Sequence, residues 1–466
     1  MNKQIKVVII GAGSAIFTKT ILSDLLAFQD VPIREVALVD INTEKLRVIH
    51  EMTELMAKQV GRTLKVSSSS AWRDVLEGAD FVINTIGVGG PHIYQRDLEI
   101  ADKYGVCESV GDIIGPTGIF RMLRAYPAIR QMVKDVEEIC PDAYFFNYTN
   151  PMAPICLALS RESKVKIFGF CHSVQGTAKM LASYLDVDVK RVSYWCAGIN
   201  HMAWYQQFKV DGEDAYPKLR EIAADPALIE AAARREKKYN GYVGSDFSDA
   251  VRFEIMKYFE YFNSESPFHM SEYTPYFRKN PQMIKDWHVS IRWWLAHELG
   301  NDDYYDTLKK QVEVERYVPM DAGEEYAPKV IRATVTGQPF RANLNVMNTG
   351  LISNIPNDCC VEVPCYADTE GIHPCYVGSL PNGVLGLNMS NISVHKLMAD
   401  AAVERKLKYI HEAVQLDPLT GAQCTLEQIN NLVNELIANN AEYLKDFTYC
   451  NCQKRIHRKC WWMRFC

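Results

Sequence analysis

Ile5 to Ile10 is a β-branched run, Gly11-Ala12-Gly13-Ser14 follows at once, and a helical pattern runs from Ala15 to Phe28. Branched side chains favour strands, and glycine permits the tight turn that joins one to a helix. The unit then recurs. Glu35 to Val39 is apolar and ends on Asp40, a helix is predicted through Met56, a short strand near Leu64 to Ser67, a helix near Asp74, and a strand over Phe81 to Ile86. A second glycine-rich turn, Gly87-Val88-Gly89-Gly90, stands where that last strand should end. Such alternation specifies an α/β fold, a doubly wound parallel sheet covered by helices on both faces. It is predicted to continue through Ala143 to Asn147 and Lys166 to Phe170. Sheets of this kind bind ligands outside the carboxyl ends of their strands.

From about Ser193 the texture changes. Tyr194 to Trp204 is apolar but punctuated by polar residues, and aromatic-rich helical stretches such as Tyr258 to Phe262 follow. Asp358 to Cys365 reads as an edge or irregular strand. These shifts predict a first domain over 1–195, a second α+β portion over 196–446 packed on it, and an atypical Cys-rich tail over 447–466.

Composition narrows the classes of function. There are 51 Lys+Arg against 57 Asp+Glu, a net charge of −6, with 48% hydrophobic and 23% charged residues. A chain so balanced is neither disordered nor fibrous. It has no basic blocks before the last residues, so neither nucleic acid nor an anionic membrane is expected as its main partner. The apolar stretch ending at Gly11 is too short to span a bilayer. No secretory signal is read, so the 14 Cys are expected to be mostly free thiols in a cytoplasmic protein.

Gly11 and Gly13 occupy the first two positions of the Rossmann-type pattern G-x-G-x-x-G, while Ile16 stands at the third. Two glycines let the backbone approach a pyrophosphate that the following helix N-terminus, from Ser14 on, stabilises. A missing third glycine predicts a slightly wider gap between helix and strand. Asp40 could accept hydrogen bonds from both adenosine ribose hydroxyls and would repel a 2′-phosphate, favouring NAD over NADP.

Two further places carry chemistry. Asn147-Tyr148-Thr149-Asn150-Pro151 follows a strand, and the residue before proline is held extended, so Asn150 is displayed at a strand end, either for a substrate hydroxyl or as a helix cap. Cys171-His172 ends the next strand, and Asn200-His201 ends another strand-like stretch after Gly198. One thiolate and one imidazole make an open site for a borderline divalent metal, suited to catalysis. A buried Cys beside a helix-capping Ser173 is the plainer alternative.

The blocks Cys171-His172-Ser173-Val174-Gln175-Gly176-Thr177-Ala178 and Cys196-Ala197-Gly198-Ile199-Asn200-His201-Met202-Ala203 resemble the NAD- and manganese-dependent glycosidases of glycoside hydrolase family 4. So do Gly11 to Ser14, Asn147 to Met152, Glu272 to Phe277 and Gly350 to Pro356, and the likeness is greatest to the melibiase branch of α-galactosidases. The resemblance implies a Rossmann domain related to lactate and malate dehydrogenases with a C-terminal α+β domain. It implies Cys171 and His201 as metal ligands, Asn150 as a substrate contact, His172 as proton donor and Tyr273 as general base. Glu265 or His269 stays open as the base or a substrate contact, and Asp112 falls in a loop that approaches the nicotinamide. Arg121 and Arg124 follow on a helix and are equally readable as a solvated basic face. NAD+, Mn2+ or another divalent metal, a small α-glycoside and a homodimer or homotetramer complete what is implied.

Rival readings remain at this point. The same chemistry on an α-galacturonide or α-glucuronide would want a cation for the sugar carboxylate, for which Arg278 or Lys279 is placed, and an α-glucosidase needs none. A 2-hydroxy-acid dehydrogenase would have no reason to pair Cys171 with His201. In the tail, Cys450, Cys452, His457 and Cys460 have poor spacing for a zinc knuckle, and an altered terminus without function is expected. Trp293-Trp294 and the Tyr258 to Phe262 stripe are expected in the core or a subunit interface.

Overall fold

The computed structural model describes residues 4–240, 248–295, 301–318 and 325–448. The Cys-rich tail from residue 449 on, with its possible zinc ligands, lies outside them, as does the side chain of Ile16.

Six strands, β1 (Ile5–Ile10), β2 (Ile33–Val39), β3 (Lys65–Ser69), β4 (Phe81–Asn84), β5 (Tyr144–Asn147) and β6 (Lys166–Phe170), form a parallel sheet in the order β3-β2-β1-β4-β5-β6. This is the doubly wound order expected of a dinucleotide-binding sheet. Every residue of β1 is buried, and alternation divides them: Val7 and Ile9 enter one hydrophobic layer, Val8 and Ile10 the other. A central strand in a covered sheet therefore reads as an unbroken apolar run.

The sheet continues antiparallel. Beyond β7 (Val192–Ile199), β8 (Met202–Val210) and β9 (Glu213–Asp214) come β10 (Phe340–Met347), β11 (Cys360–Asp368) and β12 (Gly371–Pro374). β10 pairs with β6, and the order runs on as β10-β11-β7-β8-β9, with β12 beside β11.

Two sequence expectations need correction. The helix near Asp74 is only a short 3-10 turn, Trp72–Val75. The stretch expected at an edge is β11, an interior strand. Pro364 is tolerated there because β11 changes neighbour around it, from β7 at Glu362 to β12 from Cys365 onward.

Candidate active site and metal centre

The glycine turn after β1 is built for close approach. Gly11 has φ +88°, and a Cβ there would lie 2.8 Å from the Ile86 nitrogen. A Cβ on Gly13 would lie 2.7 Å from Asp40 Oδ2, an oxygen that instead accepts the Gly13 amide at 2.8 Å. The other oxygen of Asp40 accepts the Asn42 amide at 2.8 Å, which leaves a lone pair on each for further donors. Ser14 heads the helix Ala15–Ala27 and makes no side-chain cap, so the first turn keeps its amides for an anion.

Cys171 follows the last residue of β6, and His201 sits in the tight turn between β7 and β8 with φ +60°. Gly198 allows that turn: a Cβ there would meet the Ala203 Cα at 2.8 Å. The chain returns to the same place at Asn263, which bridges to Trp204, and Ser264, whose amide reaches Ala203 O at 2.7 Å. Glu265 then arrives with φ +74°. Its carboxylate, the Cys171 thiol and a ring nitrogen of His201 all lie within 4.8 Å of one another. Among the described residues no other three such groups converge in this way.

The helix Pro267–Glu272 supplies His269 and ends at Tyr273. His201 faces Glu265 Oε2 with Nε2 at 3.4 Å and the Tyr273 hydroxyl with Nδ1 at 3.2 Å. His269 lies between carboxylates, its Nε2 3.4 Å from Asp112 Oδ1 and its Nδ1 3.7 Å from Glu265 Oε1. Asn150 Nδ2 donates to Asp112 Oδ2 at 2.9 Å, while Asn150 Oδ1 is buried with no hydrogen-bond partner. His172 stands apart at the rim. Its side chain is 52% exposed, with Nδ1 3.9 Å from Glu325 Oε1. It also occupies the N-cap position of the helix Ser173–Tyr184, where Ser173 had been expected.

Burial lowers the His201 imidazole to about 4, so its ring stays neutral with a free lone pair. Burial alone would depress His269 too, but Glu265 and Asp112 raise it to about 9. Burial would raise Glu265, yet His201 and His269 hold it below the ordinary range. Burial pushes the Tyr273 phenol well up, and Asp112, Glu272, Glu265 and Cys171 push the same way.

This donor set fits a divalent cation. Metal bonds of about 2.0–2.3 Å place ligand atoms roughly 3–4 Å apart, within reach of the three groups here. A thiol, a neutral imidazole and a carboxylate suit a borderline or harder transition metal, and the concentrated negative charge would be offset by it. The glycine cradle and Asp40 likewise fit a dinucleotide.

Several contributors were not legible from sequence. Glu362, on β11, is fully buried beside the centre, and burial raises its carboxyl to about 8. The helix Asn382–Glu404 fastens the segments that carry His201 and Tyr273: Asn388 Nδ2 donates to Met202 O at 2.9 Å and Asn391 Nδ2 to Tyr273 O at 3.1 Å. Two arginines whose roles the sequence left open are buried. Arg124 is no solvated face but buried, with Nη1 2.5 Å from Asp97 Oδ2 and 2.6 Å from Asn440 Oδ1. Arg278 is buried as well, donating through Nε and Nη1 to Cys107 O, Ser109 Oγ, Ser271 Oγ and Val289 O at 2.7–3.2 Å, while its Nη2 is buried with no hydrogen-bond partner. Trp293 stacks on Phe268 at 4.8 Å, whereas Tyr258 is exposed, so the two aromatic stretches are only partly core.

Residues 6–187 match the sequence profile of Family 4 glycosyl hydrolase, and residues 196–420 that of the Family 4 glycosyl hydrolase C-terminal domain. An alpha-galactosidase of Bacillus subtilis (strain 168) is 35% identical over 448 residues, covering 95% of this chain and 99% of its own. An alpha-galactosidase of Rhizobium meliloti (strain 1021) is 31% identical over 458 residues, covering 95% and 90%. A solved 6-phospho-alpha-glucosidase from gut microorganisms, in complex with NAD and Mn2+, matches with a TM-score of 0.77 at 21% identity over 95% of this chain and 99% of that one, a likeness of fold. Among the described residues no helix is long and apolar enough to cross a membrane. With both profiles matched in order along the chain, and relatives above 30% identity spanning nearly all of it, the chain belongs to family 4 of the glycosyl hydrolases.

Proposed function

We propose that the chain is an NAD+- and divalent-metal-dependent α-galactosidase. The single observation that carries the chemistry is the convergence of Cys171, His201 and Glu265 with Tyr273 at the mouth of a dinucleotide sheet. The galactoside preference rests on the near full-length likeness to two alpha-galactosidases.

Most glycosidases use a carboxylate pair, and the NAD-dependent family is an exception. When bound, NAD+ would supply reversible hydride acceptance, and a divalent metal, which Cys171, His201 and Glu265 would hold, would supply Lewis acidity. The rest falls to residues of the chain. Tyr273 Oη would remove the C2 proton, acidic beside a ketone, once the charge of a bound metal offsets the burial and anionic neighbours that hold its phenol protonated, and the C1–O bond would break by elimination. His201 Nδ1 is placed to donate to the phenolate oxygen and stabilise it. His172, at the rim, protonates the departing oxygen. Asn150 and Asp112 hold sugar hydroxyls, Asn150 through the Oδ1 that lacks a partner. Water then adds at C1 and the steps reverse, with no net redox change and retention at C1.

The substrate test is a panel of p-nitrophenyl α-galactoside, α-glucoside and α-galacturonide with reduced enzyme, NAD+ and Mn2+. The galactoside should be cleaved fastest; faster cleavage of the galacturonide overturns the substrate assignment and leaves the chemistry intact.

A further inference from the structure

We infer that Glu272 is a positioning residue that locks the proposed general base and the Asp112 loop into one unit; the inference rests on the reading of Tyr273 given above. Glu272 is the last residue of the helix Pro267–Glu272, directly before Tyr273, and its side chain is buried. Its carboxylate accepts three successive backbone amides of a distant loop: Ser109, Val110 at 2.8 Å and Gly111 at 3.2 Å. Successive amides that converge on one anion form a nest, and Gly111 contributes to the curvature with φ +58°.

The loop so held leads straight into Asp112, whose two oxygens meet Asn150 and His269. One carboxylate thus ties the backbone that leads into Tyr273 to the backbone that leads into Asp112. Tyr273 follows it in the chain, and Asp112 follows the amides it binds. Arg278 joins the same two segments independently, through Cys107 O and Ser109 Oγ on the loop and Ser271 Oγ on the helix. Asn391 secures the Tyr273 carbonyl from a third side. With the surroundings fixed this way, a change at Glu272 should shift geometry rather than unfold the domain.

Bonds from backbone amides to a charged acceptor are stronger than neutral ones. Glutamine keeps the shape but turns a donor toward at least one amide, so the loop loosens while the chain remains packed. A small displacement between base and substrate costs turnover rather than binding; about 1 Å can cost roughly 100-fold.

The test compares wild type, Glu272→Gln and Glu272→Asp as NAD+- and Mn2+-loaded enzymes. Three quantities are read: NAD+ affinity by titration, hydrogen exchange of the peptide covering residues 107–114, and kcat and KM on p-nitrophenyl α-galactoside with hydrogen or deuterium at C2. For Glu272→Gln, exchange in that peptide should quicken and kcat should fall at least tenfold, by the same positional argument. KM and NAD+ affinity should stay within about twofold, and the C2 isotope effect should rise because proton removal becomes slower. Glu272→Asp should lie between the two, and it replaces the Gln variant if that one fails to fold. Unchanged exchange and kcat would overturn the inference, as would a fall in kcat with no rise in the isotope effect and a loss of NAD+ binding. If wild type itself shows no NAD+-dependent turnover, the reading of Tyr273 fails, and the exchange measurement still decides whether Glu272 holds the loop.

Discussion

Glu265 Oε2 lies 3.4 Å from His201 Nε2, although 63 residues of chain carrying several strands and helices separate them. The contact turns a two-residue Cys–His pair into a three-sided donor set with Cys171.

Removal of the thiol should therefore empty the centre selectively. Cys171→Ser is expected to lose metal affinity by more than the roughly 10–100-fold that loss of a supporting partner costs. NAD+ affinity should change little, since the glycine turn and Asp40 lie elsewhere on the sheet. Metal analysis and calorimetric titration of the variant check this. Oxidation of the same thiol should silence wild type in air, with recovery under thiol reductant where the lesion is reversible.

Tyr273→Phe removes only the hydroxyl that faces His201 Nδ1. A general base contributes about 10²–10⁴-fold, so kcat should fall by that order while metal content and NAD+ binding hold. Steady-state kinetics with metal analysis measure both.

Asp97 and Arg124 form a buried pair, with Asn439 and Asn440 each donating to Asp97 Oδ1 at 2.8 Å. Asp97→Ala leaves a guanidinium buried with its carboxylate gone, which should cost about 3–5 kcal/mol in urea unfolding.

Asp417 caps the helix Pro418–Gln423 through Thr420 Nα and Oγ1, at 2.8 and 2.6 Å, and burial raises its carboxyl to about 6. In the unfolded chain that value is about 3.9. Folding thus takes up a proton between the two, so this group's contribution to stability is full below about pH 4 and declines as pH rises to about 6. Asp417→Asn keeps the cap and removes the decline. The variant should gain on wild type by an amount on the order of 2–3 kcal/mol across that window, read from paired thermal melts.

Local patterns made the parallel sheet and much of the site legible. Strand runs, the glycine turn, Asp40 and the Cys171 and His201 blocks each declare themselves within a few residues. What the pattern did not reveal depends on distant segments meeting. Glu265 is readable from sequence as a base or substrate contact, and its place beside Cys171 and His201 shows only once Asn263 and Ser264 dock on β8. Arg278 reads in sequence as a cation that could serve a sugar carboxylate, and only the fold shows four acceptors around it. Glu362 hides in an apolar strand whose proline suggested an edge, because the change of partner beside Pro364 cannot be read from the strand alone.

The central claim is that a hydrolysis without net redox change depends on both a dinucleotide and a metal. It is tested most directly by following p-nitrophenol release from the α-galactoside with reduced enzyme, omitting NAD+ and Mn2+ one at a time. The account predicts release only when both are present, with no NADH accumulating. Undiminished release from enzyme stripped of either one would contradict it.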